Sequence, residues 1–275
     1  MEPCIDVLNI TPSDRKYETH INSWTVCRLM PVRDSGGKRF FVNHALSADS
    51  RLKLDRARSS YMVTVLRMGD GDTVLVFNGH DGEWNARLER SGRRDVTLHV
   101  IDQVRAQPKQ PELIYCFAPL KQARLDYMVQ KATEMGVGAL QPVITQYTQQ
   151  RKLNIDKMRS HVIEAAEQCG VLALPDVREP VALSALQSVV GPDHTVIFCD
   201  EAVEQRNPID VLSALTDTPI ALLVGPEGGV SLQEREPLLA LDNVVSISLG
   251  PRILRADTAA VAALALVQVV RGDWR

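Results

Sequence analysis

The chain has 275 residues, of which 45% are hydrophobic and 24% charged, and its net charge is −3. That length and apolar content imply one or two domains with a real core, and no stretch reaches the ~20 apolar residues of a membrane span. Five scattered cysteines (Cys4, Cys27, Cys116, Cys169 and Cys199) show no metal-ligand spacing, so reduced thiols, no metal centre and a cytoplasmic protein are expected.

Residues 1–30 are polar and mixed, without the basic start and apolar run of a signal peptide. The stretch 28–67 then holds nine basic residues against three acidic ones, a local charge of +6 that leaves −9 for the rest of the chain. Such a cluster either tracks phosphates or forms an ordinary solvated face. Short strands are expected at 40–43, 73–77, 83–88 and 96–104, and one helix over 55–68. Asp70-Gly71-Asp72 and Asn78-Gly79-His80-Asp81-Gly82 carry turn chemistry. Residues 31–107 thus read as a small β-barrel domain, closed by the linker Gln107-Pro108-Lys109-Gln110-Pro111.

From Glu112 the pattern changes to alternating strands and helices. Strands are expected at 113–118, 137–144, 195–199, 220–224 and 244–249. Leu125, Met128, Val129, Ala132 and Met135 mark one face of a helix ending at Gly136, and Ile155, Met158, Val162, Ile163 and Ala166 mark another ending near Gly170. Ser231 and Glu234 have capping-box spacing, and Thr258 is a candidate cap for the last helix. The pattern implies an α/β domain over 112–275: a mostly parallel sheet with helices on both faces.

Two loops follow buried strands in this second domain and precede helices. One is Gly225-Pro226-Glu227-Gly228-Gly229. The other runs Leu249-Gly250-Pro251-Arg252-Ile253-Leu254-Arg255-Ala256-Asp257-Thr258-Ala259-Ala260. Glycines at the carboxyl ends of strands let a ligand approach the backbone, and the next helix start offers free N–H groups. Neither loop has the ending of a phosphate loop or the G-x-G-x-x-G of a dinucleotide fold.

Together the loops resemble the RsmE family of small-subunit ribosomal RNA methyltransferases, of the SPOUT superfamily. The resemblance spans about residues 39 to 270 and takes in Leu66-Arg67, Gly71-Asp72, Phe77-Asn78-Gly79, Lys121, Gln130 to Val137 and Glu164-Ala165-Ala166-Glu167-Gln168. Asp257 stands where the family usually has Glu, Tyr61 where His is common, and Val171 where Arg is usual; Gln146-Tyr147-Thr148-Gln149 replaces a Ser-Glu-Arg-Ser type of stretch. The resemblance implies a trefoil-knotted SPOUT domain behind a PUA-like β-barrel that binds RNA. It also implies a homodimer, S-adenosylmethionine as cofactor, and 16S rRNA in the small subunit or its precursor as substrate, methylated at N3 of a uridine. No membrane and no metal is implied.

That reaction needs the sulfonium methyl held in line with N3, and either a base for the N3 proton or a cation for the anion that forms. Arg255 is the candidate for the cation, or else a structural tie to a carboxylate. Asp257 or Glu227 is the candidate base, or else a helix cap. None of the six histidines (20, 44, 80, 99, 161 and 194) lies in the loops. Leu223, Gly225, Pro226, Glu227, Gly228, Leu249, Gly250, Ile253, Leu254, Thr258 and Ala259 are expected around the cofactor. Arg39, Arg67, Lys121 and Arg124 are expected on RNA. Two other readings remain open: the same fold acting on another rRNA or tRNA position, and a non-catalytic RNA-binding ribosome-assembly factor.

Overall fold

The computed structural model describes residues 37–92, 95–203 and 207–274. The 1–30 extension lies outside them, as do Arg28 and Arg33 of the basic stretch.

Five strands build the first sheet: β1 (Arg39–Phe41), β2 (Arg51–Lys53), β3 (Thr73–Phe77), β4 (Glu83–Gly92) and β5 (Asp95–Arg105), in the order β1-β3-β4-β5-β2. Only β1 and β3 run parallel. Register shifts within β4 and β5 bend the sheet around its core of Val74, Val76, Ala86, Leu88, Val96, Leu98 and Val100. The outermost strands β1 and β2 do not pair with each other, so the barrel expected from the sequence is an open one. Strand β2 gives no sequence signal because it is three residues long with one buried side chain, Leu52. The helix expected over 55–68 is shorter. Asp55 caps α1 (Arg56–Ser60), a π-helical turn follows over Tyr61–Val65, and Arg67 ends the segment at φ 55°.

The second sheet is wholly parallel. Its elements are β6 (Ile114–Phe117), α2 (Gln122–Glu134), β7 (Ala139–Ile144), α3 (Ile155–Cys169), β8 (Asp176–Val177), β9 (Val181–Ala182), α4 (Leu186–Val190), β10 (Thr195–Cys199), α5 (Pro208–Ser213), β11 (Ile220–Val224), α6 (Leu232–Leu239), β12 (Val244–Ile247) and α7 (Ala256–Arg271). The order is β12-β10-β11-β6-β7-β8, with β9 beside β7. Alternation along each strand feeds two cores. Tyr115, Phe117, Leu140, Ile197, Leu222 and Val224 face α2, α3, α5 and α7. Cys116, Ala139, Val143, Val196, Phe198 and Leu223 face α4 and α6. Both faces are covered, which is why these strands read as continuous apolar runs.

The two sheets are joined through side chains. Phe41 and Phe77 pack on Ala166, Val171, Leu172 and Leu174. Arg39 lies over the Phe77 ring, 4.5 Å from its centroid, pairs with Glu83, and donates to the carbonyls of Ala166, Glu167 and Val171. Arg105 takes the other Glu83 oxygen at 2.6 Å and reaches the Gly170 carbonyl. Glu83 is thus a buried carboxylate shared by two guanidinium groups. Burial alone would raise its pKa, but hydrogen bonds from Arg105 and Arg39 outweigh that and hold it below the usual carboxylate value. The linker is also fixed: Gln107 donates to the Leu172 carbonyl, and Gln110 to the Gly138 and Leu174 carbonyls.

Candidate active site and cofactor pocket

Because β12, β10 and β11 are adjacent and parallel, their carboxyl ends open onto one edge of the sheet. Three loops meet there, around a cavity of about 250 Å³.

The first loop leaves β11 at Gly225. The Gly229 N–H donates to the Pro226 carbonyl at 2.9 Å, closing a tight turn with Gly229 at φ 72°. A side chain at Gly229 would also put its Cβ 3.0 Å from Glu201 Oε1. The second loop leaves β12 through Ser248 and Leu249. Gly250 sits at φ 103°, with open space where a Cβ would project. The loop ends at Arg255, the N-cap of α7, whose carbonyl accepts from Ala259 N–H at 2.8 Å. Thr258 therefore falls inside the first turn of α7 and does not cap it. The third loop, Asp200-Glu201-Ala202, leaves β10. Asp200 is buried; its Oδ2 accepts from Arg235 at 2.7–2.8 Å and its Oδ1 from Ala202 N–H. The Asp200–Arg235 pair fixes this loop to α6.

The cavity walls are mixed. Val224, Val230, Leu249, Leu254, Ala256 and Ala259 supply the apolar side; Glu201, Arg235, Ser248 and Arg252 supply the polar side. Cys199 also lines it, but burial pushes its thiol up to about 12, so it stays a neutral thiol and not a nucleophile.

Of the residues expected around a cofactor, Gly225, Pro226, Glu227, Leu249, Gly250, Ile253, Leu254 and Ala259 line the cavity. Leu223 points the other way, into the core under α4 and α6, because alternate β11 side chains face opposite sides. Gly228 turns toward Tyr147, whose Cβ stands 3.3 Å from where a Gly228 Cβ would be. Thr258 is exposed, outside the cavity lining.

Of the three candidate catalytic groups, Glu227 lines the cavity, while Arg255 and Asp257 are chain neighbours of lining residues and lie outside the lining itself. Arg255 is exposed at the start of α7. Asp257 accepts from Thr258 N–H at 2.9 Å. Glu227 pairs with Arg124 at 2.5 Å, which ties the first loop to the start of α2. Among the expected RNA contacts, Lys121 is exposed at the N-cap of α2, Arg67 is exposed beside α1, and Arg124 is half-exposed on Glu227. Arg39 is consumed by the junction between the sheets.

The Asp200-Glu201 loop and Arg235 belong to no motif in the sequence. Their one signal is an acidic pair directly after a buried strand, but only the strand order shows that this strand is packed beside the two that carry the glycine loops.

Residues 107–268 match a family model described as an RNA methyltransferase domain, and 54–101 match one described as an RNA methyltransferase PUA domain. A relative from Rickettsia conorii, named ribosomal RNA small subunit methyltransferase E, is 32% identical over 234 residues, covering 84% of this chain and 95% of its own. The chain belongs to the RNA methyltransferase family. Within that family, a Bacillus subtilis protein of the same name is 28% identical, covering 78% of this chain and 89% of its own. A methyltransferase from Legionella pneumophila, solved with bound SAM, superposes with a TM-score of 0.75 at 27% identity, over 85% of this chain and 98% of that one. A ribosomal RNA small subunit methyltransferase E from Neisseria gonorrhoeae shares the fold, with a TM-score of 0.74 at 24% identity and coverage of 87% and 100%. These matches bear out the mostly parallel sheet with helices on both faces and the PUA-like domain before it.

Proposed function

We propose that this protein is a small-subunit ribosomal RNA methyltransferase that uses S-adenosylmethionine to methylate N3 of a uridine in 16S rRNA. The observation that carries the reading is the cavity at the ends of β10, β11 and β12, walled by two glycine loops, in a chain of which 84% aligns with a relative named ribosomal RNA small subunit methyltransferase E.

The residues present fit the cofactor. Gly250 leaves open the volume that a Cβ would take, and the flat apolar wall of Val224, Leu249, Leu254 and Ala259 suits an adenine ring. The Glu201 carboxylate would accept from the ammonium group, and the loop backbones would fix the adenine edge. When bound, the cofactor supplies an activated methyl on sulfur. The rest falls to the chain. The loops hold the donor still while the RNA is brought in line, and this positioning supplies much of the rate. Arg255 would face the uracil carbonyl beside N3 with its planar fork of donors and stabilise the anion as the proton leaves. Asp257 is the candidate to take that proton. Glu227, already paired with Arg124, would hold the first loop against α2.

Two further parts of the reading are a homodimer and a cytoplasmic location. Ile253 is 86% exposed and Leu232 69% exposed, both at the cavity rim, an arrangement suited to cover by a second copy. Ile253→Asp should therefore shift the protein from dimer to monomer in sedimentation; an unchanged oligomer would remove this rim from the interface.

Mass spectrometry of rRNA nucleosides from cells with and without the gene tests the function. Loss of one N3-methyluridine from 16S rRNA, restored by the gene, is expected. An unchanged nucleoside profile would overturn the proposal.

A further inference from the structure

A second hollow, of about 130 Å³, shares no residue with the first and lies where α1 and the π-helical turn meet β1 and α3. Phe40, Val42, Leu54 and Met62 give it an apolar floor, and the Tyr61 ring stands at its edge, 49% exposed. Two polar side chains enter it. Arg58 is held across one end by donating to the Phe41 carbonyl at 2.7 Å. Glu167 enters from α3: its Oε1 accepts from Phe41 N–H at 2.9 Å, and its Oε2 has no hydrogen-bond partner among the described residues.

A glutamine at 167 would satisfy Phe41 N–H as well, without the cost of burying a charge. The second carboxylate oxygen is thus free to accept from a ligand; burial raises the Glu167 pKa, against the opposing pull of Phe41 N–H and of the Arg58 and Arg39 charges. Cations stand nearby in the chain: Arg56 and Arg67 are exposed without an ion pair among the described residues, and Arg58 has Asp55 at 3.9 Å, whereas Arg51 and Lys53 are paired with Glu89 and Asp95.

We infer that this hollow holds one unstacked guanine of the RNA, stacked on Tyr61, with its N1–H and N2 amino edge donating to Glu167 and its phosphate near Arg58. The inference rests on the proposal that the substrate is RNA. Guanine is the base that presents two adjacent donors to an acceptor-only carboxylate. Adenine and cytosine place a ring acceptor beside their amino group, and uracil offers one donor between two acceptors. An aromatic face at the rim, a charged edge-reading group within and cations around it are the parts that single-stranded RNA recognition uses.

The test titrates GMP, IMP, AMP, CMP and UMP into the full chain by calorimetry or ligand-observed NMR. GMP should bind best, and IMP, which lacks the amino group, about tenfold more weakly, the lower end of what a paired base contact contributes. Glu167→Gln turns an acceptor into a donor and should weaken GMP about tenfold. Tyr61→Ala, at an exposed position that leaves the fold intact, should do likewise by removing the stacking face. Cofactor affinity at the other cavity serves as the folding control for both variants. Equal binding of all five nucleotides, or wild-type GMP affinity in both folded variants, would overturn the inference. Methyl transfer to small subunits by the wild-type protein is scored separately. Transfer without guanine preference removes this site and leaves the function standing; guanine preference without transfer does the reverse.

Discussion

At the scale of single residues, the site holds some side chains committed to fixing loops and others left uncommitted. The Arg255 side chain has no hydrogen-bond partner among the described residues, whereas Arg124, Arg235 and Arg39 are each committed to a carboxylate. If Arg255 stabilises the uracil anion, Arg255→Lys keeps the charge but loses the planar fork of donors. Turnover should then fall roughly 10²–10³-fold, as when one oxyanion donor is lost, with cofactor affinity nearly unchanged. Raising the pH should restore part of the rate, because an N3 already deprotonated needs less help. Single-turnover rates and cofactor affinity at two pH values check this; a collapse of cofactor binding would make Arg255 a structural residue. Glu83 makes the opposite case, structure without chemistry. Its folded pKa is depressed, so the stability it contributes is complete above the ordinary carboxylate value and is lost as pH falls through the folded one. Glu83→Ala should cost about 3–5 kcal/mol near neutral pH, as for breaking a buried pair. It should also flatten the fall in stability below about pH 4.5, the ordinary carboxylate value. Urea denaturation across pH measures both effects.

At the scale of elements, α7 sets the floor of the cavity proposed for the cofactor. Ala256 and Ala259 line it, while Ala260, Ala263 and Leu264 press into the core over β11. Small residues on this face bring the helix close to the sheet, so Ala263→Leu has no space to fill. Overpacking there should destabilise by about 1–3 kcal/mol and weaken cofactor binding at the same time, since the helix start must move. Unfolding and cofactor titration on the same sample test the coupling; a stability loss with unaltered affinity would show that the helix start is fixed by its loop alone. Val171 makes a related point. Where the family resemblance leads one to expect Arg, the Val171 side chain packs against the Phe41–Phe77 pair and its carbonyl accepts from Arg39. The departure is absorbed in the junction between the sheets.

At the scale of the whole molecule, charge is segregated. The basic excess lies on and beside the first sheet, and the cavity lies on the second, so RNA affinity and cofactor affinity should respond to different substitutions. Lys53 and Arg56 are exposed. Replacing both with Ala should weaken RNA binding at low salt and flatten its logarithmic salt dependence by about 0.7–0.9 for each phosphate left without its cation, with cofactor binding unaltered. An unchanged slope, measured by fluorescence anisotropy over a salt series, would make this stretch an ordinary solvated face.

Much of this architecture is legible in the chain alone. The runs at 73–77, 195–199 and 220–224 form strands with those bounds, because each is apolar, β-branched and ended by turn residues. The two glycine loops stand out because each follows a buried strand and its residue types suit either an ordinary βα turn or a close backbone approach. Tertiary structure decided the rest. The strand order brought the acidic loop after β10 up against the glycine loops. The alternation of β11 turned Leu223 away from the cavity, and Tyr147 claimed the space beside Gly228. Arg39, one cation among several in the sequence, became the pin between two sheets only because Glu83, Phe77 and the end of α3 converge on it from distances in the chain that no local pattern records. Local propensity and periodicity act over a few residues, whereas a site is made by which strand ends lie side by side, and that is settled by packing across the whole chain.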